Sequence, residues 1–219
     1  MFFRKIIRRC TGFSVAGLAM VLFSSAMVGA EKGKEALKTI SVTRVEVKPV
    51  ESQEGVVGVA KVMLNECIVV REIKVVKMDS RTILRFPEYV SKKGIVYPQI
   101  KFLTEEARNA VLEAIETGKP SGDKFNKVSF KITDWFRLRG AGKRKVNAEV
   151  TFNNVVAVSC GIMEGKRGPW IAWPSRPPEK GGGSWVKQVY IYDEKVRKAV
   201  ENLLLTKYQA MLQEEGEEW

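Results

Sequence analysis

Short segments of this chain recur in the same order at a spacing of 87–90 positions. Residues 40–47 alternate apolar and polar side chains as a strand does, and 130–137 are their counterpart, with Thr43 matching Thr133. Val59-Ala-Lys-Val-Met-Leu-Asn65 is answered by Asn147-Ala-Glu-Val-Thr-Phe-Asn153, each ending at an Asn suited to a hairpin turn. Valine-rich strands follow at 68–76 and 155–163. Then come Ile83-Leu-Arg-Phe-Pro87 and Trp170-Ile-Ala-Trp-Pro174, and finally Gln99-Ile100 and Gln188-Val189 ahead of a helix. Chance does not hold such spacing through five segments, so the chain folds as two related modules.

The helices carry the same repeat. Thr104 is placed to cap the first, Glu105 and Glu106 favour its positive end, and Ala107, Ala110, Val111, Ala114 and Ile115 share one face. Asp193 and Glu194 open the second, whose stripe is Val196, Ala199, Val200, Leu203 and Leu204, extended by Tyr208 and Leu212. The expected fold class is α+β: two tandem modules, each an antiparallel β-sheet of four or five strands with one C-terminal helix. They are expected to pack as a pseudo-dimer, because a domain near 80 residues is marginal alone. The first module is placed at 39–118, a turn-rich linker at 119–127, the second at 128–213, and a frayed acidic tail at 214–219.

Ahead of the repeat, residues 1–30 have the parts of an export signal. Arg4, Lys5, Arg8 and Arg9 precede an apolar run from Phe13 to about Val28, and Val28-Gly29-Ala30 offers small residues for cleavage. The run is short for a bilayer span, which needs about 20 residues, so cleavage is favoured over a permanent anchor. The expectation is an exported or membrane-anchored protein of the periplasm or cell envelope.

The chain contains no histidine, which excludes His-based triads and His-ligated zinc. Acidic residues sit at helix starts, not as acid/base pairs, and Gly181-Gly-Gly183 lacks the lysine-serine pair of a phosphate-binding loop. No catalytic residue, metal site or cofactor is therefore expected, and the chain is read as a non-enzyme. Cys67 and Cys160 could pair after export, but their valine and isoleucine neighbours favour two buried free thiols. Without residues 1–30 the chain has 33 Lys+Arg against 25 Asp+Glu, a surplus that attracts polyanions or simply solvates the surface.

Val42-Thr43-Arg44-Val45, Ile132-Thr133-Asp134-Trp135, Ala148-Glu-Val-Thr-Phe-Asn153 and above all Trp170-Ile-Ala-Trp-Pro-Ser-Arg176 resemble the stage V sporulation protein G (SpoVG) family of bacterial septation regulators. The likeness runs from about Thr39 to Leu212 and is fuller in the second copy, since Pro87 is followed by Glu88-Tyr89 instead of Ser-Arg. The resemblance implies a small dimerising protein that binds DNA or RNA and influences septation, sporulation and gene expression in the cytoplasm. An export signal departs from that pattern and opens a second reading, an exported module that binds an envelope or division protein.

Under the nucleic-acid reading the candidate contacts lie in the second copy. They are Arg137, Arg139, Lys143, Arg144 and Lys145 on its first hairpin, Ser175, Arg176 and Lys180 on the later loops, and Lys195 and Lys198 on the last helix. Trp135, Trp170 or Trp173 would stack on unpaired bases if exposed. Against this stands the plainer reading, in which the tryptophans are core and the charges solvate hairpin tips.

Overall fold

A computed structural model describes residues 40–51, 55–121, 128–140, 142–179 and 182–216. The signal-like segment, Lys180 and the last three residues lie outside the described residues. The first half runs β1 (Val42–Pro49), β2 (Val56–Leu64), β3 (Ile68–Met78), β4 (Arg81–Arg85), β5 (Glu88–Val90), β6 (Val96–Pro98), β7 (Ile100–Phe102) and α1 (Glu105–Thr117). The second half repeats that order with β8 (Phe130–Arg137), β9 (Arg144–Phe152), β10 (Val156–Gly165), β11 (Gly168–Ala172), β12 (Ser175–Arg176), β13 (Val186–Lys187), β14 (Val189–Ile191) and α2 (Glu194–Gly216). The α+β class and the two-module arrangement are as the sequence implies.

The modules are not self-contained, however. β3 holds β2 along one edge and two partners along the other: β4 at 74–78 and, at 68–70, β14 from the second half. In the same way β10 holds β9, β11 and, at 156–158, β7 from the first half. Each five-stranded antiparallel sheet thus contains one strand donated by the other module. Further bonds secure the exchange: Arg71 N donates to Gln188 O (2.7 Å) and Ser159 N to Gln99 O (3.1 Å), one in each sheet. The apolar faces of both sheets and both helices form one continuous core, with Val42, Leu64, Ile73, Phe152, Val158, Ile162, Val189 and Leu204 fully buried.

The repeat extends to single atoms. Asn65-Glu66 and Asn153-Asn154 make the two hairpin turns with all four φ angles positive, the twist that two-residue hairpins favour. Asn65 Oδ1 accepts from Ser41 N and Asn153 Oδ1 from Ser129 N, both at 2.8 Å, so each turn also ties down the start of its first strand. One irregularity separates the copies. Ala60 faces Ile73 while Val62 faces Val70, so Arg71 and Glu72 together oppose Lys61, a bulge that the β9–β10 ladder lacks at this level.

Thr104 caps α1 by accepting from Ala107 N, and Gly118 ends it at φ +66°. The predicted face is buried at Ala107, Val111, Ala114 and Ile115. For α2 the stripe is narrower than predicted: Val200, Leu204 and Tyr208 are buried, with Val196 and Met211 partly so, whereas Ala199, Leu203 and Leu212 face outward. The four-residue steps 196–200–204–208 keep one line against β11 and β14, and the i+3 positions fall off it. The helix also continues to Gly216, through the start of the stretch read as a frayed tail. Among the described residues no helix is long and apolar enough to cross a membrane. Cys67 and Cys160 are buried free thiols, and burial pushes both up to about 12.

Candidate nucleic-acid interface

The β8–β9 hairpin leaves its sheet beside the second half of α2. Leu138 N donates to Lys145 O (2.8 Å) at its base, and beyond that point the strands splay. A cleft of about 310 Å³ opens there, lined by Arg137, Arg139, Lys145, Glu164, Tyr208 and Met211 among others. Its floor is a polar contact: the buried Tyr208 hydroxyl donates to Glu164 Oε1 at 2.8 Å, and Lys145 Nζ lies 3.4 Å from Glu164 Oε2. The Tyr208 bond and then the Lys145 contact hold the Glu164 carboxyl below its ordinary value. Burial and the same hydrogen bond push the Tyr208 hydroxyl up to about 12. Tyr208 therefore stays neutral and Glu164 ionised near neutral pH, with three cationic side chains around one carboxylate.

The other candidates scatter. Lys143 is exposed at the hairpin turn. Arg144 folds back: its guanidinium lies against bare backbone at Gly161, where a Cβ would meet it at 2.6 Å, and it donates to Cys160 O at 3.3 Å. Desolvation there lowers its pKa. Arg176 is engaged in a clamp, Nη2 to Glu72 Oε1 at 2.6 Å and Nε to Glu72 Oε2 at 2.8 Å, with Gln188 Nε2 donating to the same carboxylate. The geometry is bidentate and charge-assisted, and it fastens the β12–β13 arm to the bulge of β3. Ser175 is half-buried opposite Lys187, while Lys195 and Lys198 lie at the start of α2, Lys198 paired with Glu194 at 2.9 Å. So the structure brings together Arg137, Arg139 and Lys145, leaves Lys143 beside them, and puts the rest elsewhere.

The tryptophans divide likewise. Trp135 is half-buried with Lys207 Nζ 4.9 Å from its ring centre, and Trp173 donates to Glu201 at 2.9 Å. Trp170 is exposed. Trp185, which the sequence reading passed over, is the most exposed of the described tryptophans at 65%. It lines a second cleft of about 440 Å³ with Arg71, Val186, Lys187 and Tyr190. An apolar–basic alternation around Trp185 was the available signal, but nothing in the sequence shows that Arg71 stands across from it.

Fold and surface define a class: a small α+β protein of strand-exchanged antiparallel sheets with basic surface clefts. Comparison with known proteins narrows it. The SpoVG family model matches residues 40–117, the first module, although the quoted motifs are fuller in the second. The chain is 36% identical over 83 residues to the protein named as a septation protein, SpoVG, in Aster yellows witches'-broom phytoplasma (strain AYWB). That stretch covers 37% of this chain and 76% of the relative, and the same figures hold for the like-named protein of Onion yellows phytoplasma (strain OY-M). No solved structure matches the chain significantly. The chain belongs to the SpoVG family.

Proposed function

We propose that this chain is a non-enzymatic, SpoVG-like regulator of septation and sporulation that binds nucleic acid, with the second module a second copy of the family domain. The observation that carries the binding is the cleft rimmed by Arg137, Arg139 and Lys145, with Lys143 exposed at the adjoining turn. Clustered cations on one rim displace counterions from a phosphate backbone, which gives affinity without sequence information. The neutral Tyr208 hydroxyl and the single carboxylate keep the rim fixed and net positive.

Salt-dependent binding of a short DNA duplex tests this. The substitutions Arg139→Ala, Lys143→Ala and Lys145→Ala, made together, should flatten the log–log salt slope by roughly two units, since each phosphate contact contributes about 0.9. Arg144→Ala should leave the slope unchanged, because its guanidinium is committed to Gly161 and Cys160. Undiminished slope in the triple variant, or no duplex binding at low salt, overturns the reading. Fractionation of cells carrying a C-terminally tagged chain then decides between a cytoplasmic regulator and an exported module whose ligand lies in the envelope.

A further inference from the structure

The outward face of the first sheet is basic in a way that only its register reveals. Lys48 faces Val59, Val59 faces Lys74, and Lys74 faces Arg85, so one row across four strands carries three exposed cations. Two residues along β2, Lys61 lies beside Glu46 on one side and the Arg71 bulge on the other. Two further on, Arg44, Met63, Val69 and Tyr190 make a third row, the last contributed by β14 of the second module. Because side chains alternate faces along a strand, these rows lie on one surface. Glu46 is the carboxylate of these rows, and it is bound to Lys61 at 3.0 Å. The second sheet differs: at its corresponding surface Lys101 is paired with Glu149 at 2.6 Å, beside Asp134.

At the Tyr190 end the face runs into the cleft of Arg71, Trp185, Lys187 and Tyr190. Trp185 stands largely clear of the protein, and Lys187 Nζ lies 5.7 Å from the Tyr190 ring centre. The cleft is composite, since Arg71 comes from one module and the other residues from the arm that the exchange lays against it. Two aromatic rings beside cations, at the end of a basic sheet face, suit unpaired bases: every base presents a π-face, whereas a duplex hides its bases in the stack. The Tyr190 row and the Lys48–Lys74–Arg85 row are four residues apart along β2, about 13 Å, or roughly two nucleotides of extended strand.

We propose that this face is a second, separate site that takes single-stranded nucleic acid, with bases stacked on Trp185 and Tyr190 and the backbone carried across Lys74 and Arg85. The proposal rests on the nucleic-acid reading for its ligand but on different residues. Fluorescein-labelled thymidine and uridine decamers, titrated into the full chain beside a duplex of equal length, test it. Trp185→Ala should weaken decamer binding roughly tenfold, within the range of one lost base stack, and leave duplex binding unchanged. Lys48→Ala, Lys74→Ala and Arg85→Ala together should flatten the decamer salt slope by about two units. Trp185 is exposed, so its loss does not unfold the chain, and an unchanged melting temperature checks this. Decamer binding indifferent to Trp185→Ala overturns this inference while duplex binding, if present, upholds the hairpin cleft. Absence of binding to either probe overturns both.

Discussion

Glu72 fills the extra position of the β3 bulge at φ +60°, a left-handed conformation that costs a residue with a Cβ about 1–2 kcal/mol. Its carboxylate at the same time receives Arg176 and Gln188 from the opposite module, so one strained residue joins the two halves. These effects can be separated by substitution. Glu72→Ala removes the clamp and keeps the strain, whereas Glu72→Gly removes both. Glycine should therefore be the more stable replacement by about 1 kcal/mol, with Glu72→Ala below the natural chain by about 1 kcal/mol after allowance for solvent screening. Urea midpoints of the three proteins decide it, and alanine equal to glycine would sink the strain argument. Acid should act on the same contact. The Arg176 hydrogen bond is the main cause holding the Glu72 carboxyl below its usual 4.5. A depressed folded value means stability that is present above the unfolded pKa and lost as pH falls through the folded one. Below pH 4.5 the natural chain should thus lose more stability than Glu72→Gln, measured by the same urea titrations.

At the scale of elements, the two asparagine turns set the register of the longest hairpins. Asn65 has φ +52° and accepts the buried Ser41 N–H, so Asn65→Ala loses both a tolerated left-handed residue and a hydrogen-bond acceptor. A loss of about 2 kcal/mol is expected by chemical denaturation, and Asn65→Gly should recover roughly half by restoring the turn. These turns, the long alternating strands and the α1 face were legible in the sequence because each is a local pattern. Even the bulge left a trace: the repeat spacing falls from 88 at Asn65/Asn153 to 87 at Ile83/Trp170, one residue for the insertion at Glu72. Strand partners left none. Ile100-Lys-Phe102 and Val189-Tyr-Ile191 share one apolar–polar–apolar pattern, and either fits the free edge of β3 or of β10. The candidate site suffered similarly. Basic residues were found where they cluster along the chain, at 137–145, but the row from Lys48 to Arg85 assembles only through the register of four strands. Nor does charge alone tell an open cation from Arg176 or Arg144, whose partners are distant in sequence.

For the whole molecule, the exchange makes each sheet depend on the other half. A first module expressed alone, residues 35–121, would keep β1 to β4 and α1 but leave two defects. The edge of β3 at 68–70 would lose β14, exposing unpaired backbone and the apolar seats of Val189 and Ile191, both fully buried in the intact chain. β7 would lose its partner on β10, stranding Ile100 and Phe102. Each defect is the remedy for the other, because β7 and β14 occupy corresponding registers. Val189, Tyr190 and Ile191 face Val70, Val69 and Ile68, while Ile100, Lys101 and Phe102 face Val158, Ala157 and Val156. Two copies of the isolated module should therefore exchange β7 reciprocally, with Ile100 opposite Val70 and Phe102 opposite Ile68, as a symmetric dimer. Sedimentation equilibrium should give twice the module mass, and the melting temperature should rise with concentration, as it does when folding is coupled to association. The intact chain should show no such dependence, since its exchange is intramolecular. Replacing Ile100 by Asp in the isolated module should place a carboxylate in the buried seat on β3 and abolish the dimer together with most of the folded signal. A module of residues 35–121 that is monomeric and melts cooperatively at a temperature independent of concentration would show that the exchanged strands are dispensable, and would return the fold to two self-sufficient domains.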